Sequence, residues 1–245
     1  MTQQQALATL IEENYDERAI KALWFNWQEK YFLRHSPKNV VAHTKAILNA
    51  APDVTVLVKS LSGQKAFDVF IYMRDKPLIV ATTTRLFDKL QLSIAEAQIL
   101  TTKDNYTLDS YVLIKTDATK VSTSCEQIQA LLLRNLQGEL SISPANKRFM
   151  SRRQRHFTMK TIIAFHEDSK NNRTVMTLLT TDTTGLIATI AKAFAKHKIQ
   201  IQHAKIATMG ERAEDTFFIV DKSKEPLSEA LQMSLKDTII KLLGE

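Results

Sequence analysis

Hydrophobic positions along the chain alternate between two periods. Behind Asp16, whose carboxylate can accept from the first free N–H groups of a helix, Ile20, Leu23, Trp24, Trp27 and Tyr31 recur at helical spacing, and the pattern predicts one helix over 16–32. Ser36 followed by Pro37 opens a second helix that carries Val40, Val41, Thr44, Ile47 and Leu48 on one face. The first dozen residues have a weak helical pattern and no start signal, and read as the trailing end of something longer.

From Val54 the period becomes two. Residues 54–58 and 67–73, joined through Ser60-Leu61-Ser62-Gly63, read as a hairpin. Asp75-Lys76-Pro77 closes it and opens a helix with Leu78, Ile79, Leu86, Phe87 and Leu90. Residues 94–102 and 106–115 form a second hairpin about Lys103-Asp104-Asn105, and a capping box, Thr123-x-x-Glu126, introduces a helix with Ile128, Leu131, Leu132 and Leu136. After a basic, aperiodic stretch the same order returns: strands at 161–165 and 173–180, a loop, a helix to His197, strands at 199–208 and 213–220, and a helix over about 226–243.

The two runs share a register. Asp182 minus Asp75 is 107, as are Phe194 minus Phe87, Ile201 minus Ile94, Ala204 minus Ala97 and Ile206 minus Ile99. After the second turn the offset is 106, Asp215 against Asp109 and Phe217 against Tyr111, a single deletion in a hairpin. A constant offset through four elements marks a tandem duplication. Strand-helix-strand-strand-helix with short connections gives an α+β fold, an antiparallel sheet with two helices on one face, of the ferredoxin-like kind. In each copy the strand before the first, 54–58 or 161–165, takes the place of the usual last strand, since too few residues follow the final helix to form another. Exposed sheet edges predict side-by-side pairing of the copies and allow self-association. The division is a helical segment over 1–50, one domain over 51–140, a basic linker over 141–157 and a second domain over 158–245.

Composition narrows the function. No apolar run approaches the roughly 18 residues of a membrane span, and Met1-Thr2-Gln3-Gln4-Gln5 has no signal-peptide pattern. A single cysteine, Cys125, excludes an intramolecular disulfide or a Cys-rich metal site and fits a reducing cytoplasm. Net charge +7 raises nucleic acid as a partner, but the Lys/Arg-Gly-Phe/Tyr-x-Phe-Val pattern of an RNA-reading sheet is absent, and Lys147, Arg148, Arg152, Arg153 and Arg155 lie in the linker. His35 and His43 lack an acidic or histidine partner at metal-ligand spacing. No nucleophile-base set is visible.

The candidate site is Asp182, Thr183, Thr184, Gly185, Leu186 and Ile187, between an apolar strand and an amphipathic helix. Free N–H groups and the dipole of a helix start favour a ligand carboxylate, and glycine lets a ligand approach the backbone. Two readings stay open on this loop alone: a ligand site, or Asp182 or Thr183 capping the helix with Gly185 as a turn residue. The first copy offers Asp75, Lys76, Pro77 and Leu78 as a second, degenerate loop, with a branched side chain where Gly185 stands in the other.

Residues 181–187, Thr-Asp-Thr-Thr-Gly-Leu-Ile, resemble the signature loop of ACT domains, small modules that commonly bind amino acids, and the pair of copies resembles a tandem ACT region. Residues 31–37 with His43-Thr44, 101–109 and 204–217 further resemble the C-terminal third of the bifunctional PII uridylyltransferase/uridylyl-removing enzyme family. The resemblance implies a glutamine-sensing regulatory region that switches the longer enzyme between UTP-dependent uridylylation and deuridylylation of the nitrogen regulator PII in a bacterial cytoplasm. The Gly-Ser loop and paired aspartates of a nucleotidyltransferase, and the His-Asp metal pair of the hydrolase, do not occur in this chain. The chain is expected to catalyse nothing by itself and to hold no cofactor; Mg2+ belongs to the catalytic domains with which it would be joined. The alternatives are a nucleic-acid-binding module of the same plan and an ACT protein that senses another amino acid.

Overall fold

The computed structural model describes residues 2–50, 53–61, 65–76, 78–116, 119, 123–138, 159–183, 185–209 and 212–244. Four helices come first: α1 (Thr2–Glu12), α2 (Glu17–Phe25), α3 (Glu29–Arg34) and α4 (Pro37–Leu48). The first half follows as β1 (Val54–Ser60), β2 (Ala66–Arg74), α5 (Ile79–Lys89), β3 (Leu92–Leu100), β4 (Tyr106–Lys115) and α6 (Cys125–Leu136). The second half repeats it as β5 (Ile162–Asp168), β6 (Arg173–Thr181), α7 (Leu186–Lys196), β7 (Gln200–Met209), β8 (Arg212–Val220) and α8 (Glu229–Leu243). The linker proposed over 141–157, Pro77 and Thr184 lie outside the described residues.

All eight strands join one antiparallel sheet in the order β1-β2-β4-β3-β7-β8-β6-β5. The strands that precede each unit, β1 and β5, lie beside β2 and β6, where a ferredoxin-like fold keeps its last strand. The halves meet edge to edge through β3 and β7, as the exposed edges predict. Inward residues of every strand pack under α5 to α8 in one core, in which Phe87 meets Tyr111 and its repeat counterpart Phe194 meets Phe217, both edge-on at 5.1 and 5.2 Å.

Three sequence expectations need correction. The first dozen residues form a helix, α1, because Ala6 and Leu10, one turn apart, are fully buried and packed with the residues of α2 to α4. The helix expected over 16–32 is broken into α2 and α3. Asn26 and Gln28 turn outward there to bond a distant loop: the Lys103 N–H donates to the Asn26 carbonyl at 3.0 Å, and Gln28 Nε2 donates to the Thr101 carbonyl at 2.8 Å. The cap of α6 is Ser124 rather than Thr123, its hydroxyl accepting from the Gln127 N–H.

Helices also cover both faces of the first half. Phe70, Leu100 and Leu108 point away from α5 and α6 and join a second core with Trp24, Trp27, Tyr31, Val40 and Val41. At the repeat-related positions the second half carries Thr177, Ala207 and Glu214, too small or too polar to bury against helices. His35 and His43 are committed inside this second core: His35 contacts the Tyr31 carbonyl and the Ser110 hydroxyl, each at 2.9 Å, and His43 Nδ1 meets the Tyr31 hydroxyl at 2.6 Å. The two rings sit 5.4 Å apart.

Candidate functional site

Loop 2, residues 182–185, runs from the end of β6 into α7, and loop 1, residues 75–78, from β2 into α5. The two turns share one backbone shape. Gly185 precedes α7 at φ 83°, and Leu78 precedes α5 at φ 77°. Leucine therefore keeps the left-handed turn that glycine adopts without cost, and loop 1 is not degenerate in its backbone.

Neither Asp182 nor Thr183 caps α7. The cap position is Gly185, which has no side chain to offer, and a carboxylate from the other half bonds its backbone: Asp88 at the end of α5 accepts from the Gly185 N–H through Oδ1 at 3.0 Å. A carboxylate thus lies at the start of α7, where the dipole and free N–H groups favour one. Burial pushes Asp88 up to about 6, the Gly185 N–H opposes the shift and the charge of Asp182 adds to it. Burial pushes Asp182 up to about 6.

Behind each loop stands an aspartate from the inner face of a strand, Asp109 on β4 and Asp215 on β8, 0 and 2% exposed. Burial pushes both up to about 8. Their surroundings differ. The hydroxyls of Thr107 and Tyr111 donate to Asp109, whereas the corresponding residues in the second half are Ala213 and Phe217, which have no hydroxyl to give. Asp215 receives only the Ala207 N–H on Oδ1, at 3.4 Å, and its Oδ2 has no hydrogen-bond partner among the described residues. The Thr183 hydroxyl, 7% exposed, is likewise unpartnered. Loop 2 therefore lies beside a buried carboxyl oxygen without a partner and leads into a helix start that already holds a carboxylate.

Loop 1 presents a different surface. A cleft of about 490 Å³ opens between it and the second half, bordered by Asp75, Lys76, Leu78, Thr101, Ala195 and Lys198. Asp75 Oδ2 accepts from the Thr101 hydroxyl at 3.2 Å, and burial raises its pKa. The cleft is open because the repeat mate of Asp88 is Ala195 (195 minus 88 is 107), a methyl group where loop 2 meets a carboxylate. Of the candidate residues, the structure groups Asp182, Thr183 and Gly185 on one loop and buries Leu186 and Ile187 in the core behind it. Asp75, Lys76 and Leu78 line the cleft.

Asp109 and Asp215 entered the sequence reading as repeat mates and within family motifs but not as site residues, and Asp88 did not enter it at all. Asp109 and Asp215 carry a readable signal, an aspartate on the apolar face of a strand at the same repeat position. Asp88 carries none, since its partner lies 97 residues away. Among the described residues no group of three or more His, Cys, Asp or Glu is disposed to hold a metal ion, and no helix is long and apolar enough to cross a membrane.

Residues 1–46 match the sequence model of the uridylyltransferase GlnD fifth domain. The chain is 34% identical over 239 residues to the bifunctional uridylyltransferase/uridylyl-removing enzyme of Photobacterium profundum, covering 97% of this chain and 27% of that protein. The enzyme of the same name from Pseudomonas savastanoi is 35% identical over 255 residues, with 99 and 28% covered, and that of Legionella pneumophila 34% over 239, with 97 and 28% covered. Among solved structures, aspartate kinase from Synechocystis superposes with a TM-score of 0.42 at 16% identity over 73% of this chain and 27% of that one. The chain thus belongs to the family of bifunctional uridylyltransferase/uridylyl-removing enzymes and spans little more than a quarter of the length of the relatives it matches.

Proposed function

We propose that this chain is an amino-acid-sensing regulatory region with L-glutamine as its effector. In a longer enzyme of the family, ligand binding between the halves would shift catalytic domains between uridylylation and deuridylylation of PII. The observation that carries the reading is the pairing, beside one loop, of a buried Asp215 carboxyl oxygen without a hydrogen-bond partner and a helix start that accepts a carboxylate. A free amino acid presents the complementary pair, an ammonium group that favours the ionised form of Asp182 and of the otherwise protonated Asp215, and a carboxylate for the start of α7. Thr183 and Gly185 border that position, while Leu186 and Ile187 anchor the helix. The cleft at loop 1, with Asp75, Lys76 and Leu78, gives the ligand a second place to lie between the halves.

Allosteric control requires glutamine to bind two arrangements of the halves with different affinity. The β3–β7 seam and the α5–α7 contact are the elements whose arrangement such a ligand would bias. The relatives' names describe enzymes, and this chain would serve their regulation in the cytoplasm.

Calorimetric titration with L-glutamine, against L-glutamate and D-glutamine, tests the proposal. Stereospecific heat from L-glutamine is the expected result, and Asp182→Ala is expected to abolish it. No heat at millimolar ligand refutes sensing by this chain alone, and unchanged affinity in Asp182→Ala removes Asp182 from the site.

A further inference from the structure

We infer that Asp88 is an internal ligand of loop 2, a carboxylate from the first half that occupies the start of α7 until an incoming carboxylate displaces it. The inference rests on the amino-acid reading of that loop and adds how its occupancy is controlled.

The contact is one-sided. Asp88 Oδ1 accepts from the Gly185 N–H at 3.0 Å, across 97 residues of sequence and between the two halves. Its repeat mate is Ala195 facing Leu78, a methyl group against a leucine, and the open cleft lies there instead. An element of the fold demanded by the sheet or the helix packing would recur in both halves, as the Phe87–Tyr111 and Phe194–Phe217 pairs do. The carboxylate at α7 does not recur.

Asp88 is also a poorly compensated occupant. Burial and the charge of Asp182 both disfavour its ionised form, and the single Gly185 N–H opposes them. Among the described residues no ion pair involves Asp88, so no cation balances it. Asp88, Asp182 and Asp215 thereby gather three carboxyl groups around one loop, with Asp215 Oδ2 still lacking a donor. A zwitterion replaces this arrangement with a better one. Its carboxylate takes over the α7 start while its ammonium group donates to Asp182, so the ligand adds no net negative charge at the loop. The exchange frees the end of α5 from the end of loop 2. Ligand binding is then coupled to the contact between the halves without any hinge in the strands, and the free energy of the Asp88–Gly185 bond sets how hard the ligand must compete.

The test titrates wild type and Asp88→Ala with L-glutamine by calorimetry. Removal of a competing charge-assisted hydrogen bond predicts about ten-fold tighter binding in the variant. Equal or weaker binding, in a variant that melts cooperatively, overturns the inference. Asp88→Asn, which keeps shape and an acceptor but not the charge, stands in if Asp88→Ala does not fold, with an expected gain of about three-fold. Should neither wild type nor variants respond to glutamine, the glutamine reading fails, and acetate becomes the deciding probe, followed at the Gly185 amide by NMR. Displacement of that signal by acetate in Asp88→Ala at concentrations that leave wild type unmoved upholds the internal ligand. Equal movement in both proteins, or movement in neither, refutes it.

Discussion

Gln98 of β3 and Lys205 of β7 face each other across the seam between the half-sheets, and each is the other's repeat counterpart, since 205 minus 98 is 107. A local twofold passes through this pair: Glu96 meets Ala207 while Leu100 meets His203, and Ala97 meets Ile206 while Ile99 meets Ala204. Such a seam offers both loops the same surroundings in outline. Their differences come from a few substitutions across it, Asp88 against Ala195, Gly185 against Leu78, and Thr107 and Tyr111 against Ala213 and Phe217.

The second of these bears on stability. Leu78 holds φ 77° with a branched side chain, a conformation that disfavours every residue except glycine. Leu78→Gly is expected to raise the unfolding free energy by about 1 kcal/mol, less whatever its half-buried side chain contributes. Gly185→Ala is expected to lower it by about 1 kcal/mol through the backbone alone, because a Cβ there would meet Asp88 Oδ2 at an ordinary 3.6 Å. Urea unfolding of the two variants checks both signs.

Stability is expected to fall as pH rises from about 6 to 8. Asp215 and Asp109 hold protons up to about pH 8 in the folded chain, whereas an unfolded aspartate loses its proton near 3.8. The folded state therefore binds more protons across that interval, and raising pH favours unfolding. Asp215→Asn removes one such proton, and the slope of unfolding free energy against pH between 6 and 8 should become less steep by up to roughly 1.4 kcal/mol per unit. An unchanged slope would refute burial of a protonated Asp215.

The acid side is governed by histidines. Burial holds His43 well below its ordinary 6.5, and His203 is pushed down to about 4 by burial and then by Lys30, Arg34 and Arg173, against the opposing contact with the Ile99 carbonyl. An unfolded histidine takes up its proton near 6.5 while these stay neutral, so stability is lost as pH falls below that value. NMR titration should find the His203 ring neutral at pH 5, with its transition near 4, and His43 untitrated over the same range.

The N-terminal helices are expected to depend on one phenylalanine of the sheet. Phe70 is 1% exposed and stacks on His43 at 3.9 Å between ring centres. Phe70→Ala should cost about 3–5 kcal/mol and release α4 and its neighbours from β2 and β4. Limited proteolysis would then cut within residues 2–48 before the sheet, and simultaneous digestion of both would contradict a separate second core.

Much of this was legible in the chain. Strand alternation around Val54–Val58 and Phe67–Met73, helical spacing in α4, α5 and α7, and the 107-residue offset together specify two β-β-α-β-β-α units, because each follows from which side of an element must be buried. The Asp182-to-Gly185 turn was readable for the same local reason. The carboxylate at the start of α7 was not, because it is brought there by the packing of α5 on α7. The break between α2 and α3 was equally hidden, being made by Thr101 and Lys103 bonding to a segment more than seventy residues earlier.

By itself, the sequence determined the strands and helices of the two repeats, the duplication and the place of the loops, since these depend on periodicity and on local backbone preference. Only the tertiary structure decided that the half-sheets join through β3 and β7, that loop 1 faces a cleft while loop 2 faces Asp88, and that Asp215 is left with an unpartnered oxygen. The reason is physical: a hydrogen bond, a cavity or a missing donor belongs to two surfaces at once, and no spacing along one chain encodes which surfaces will meet.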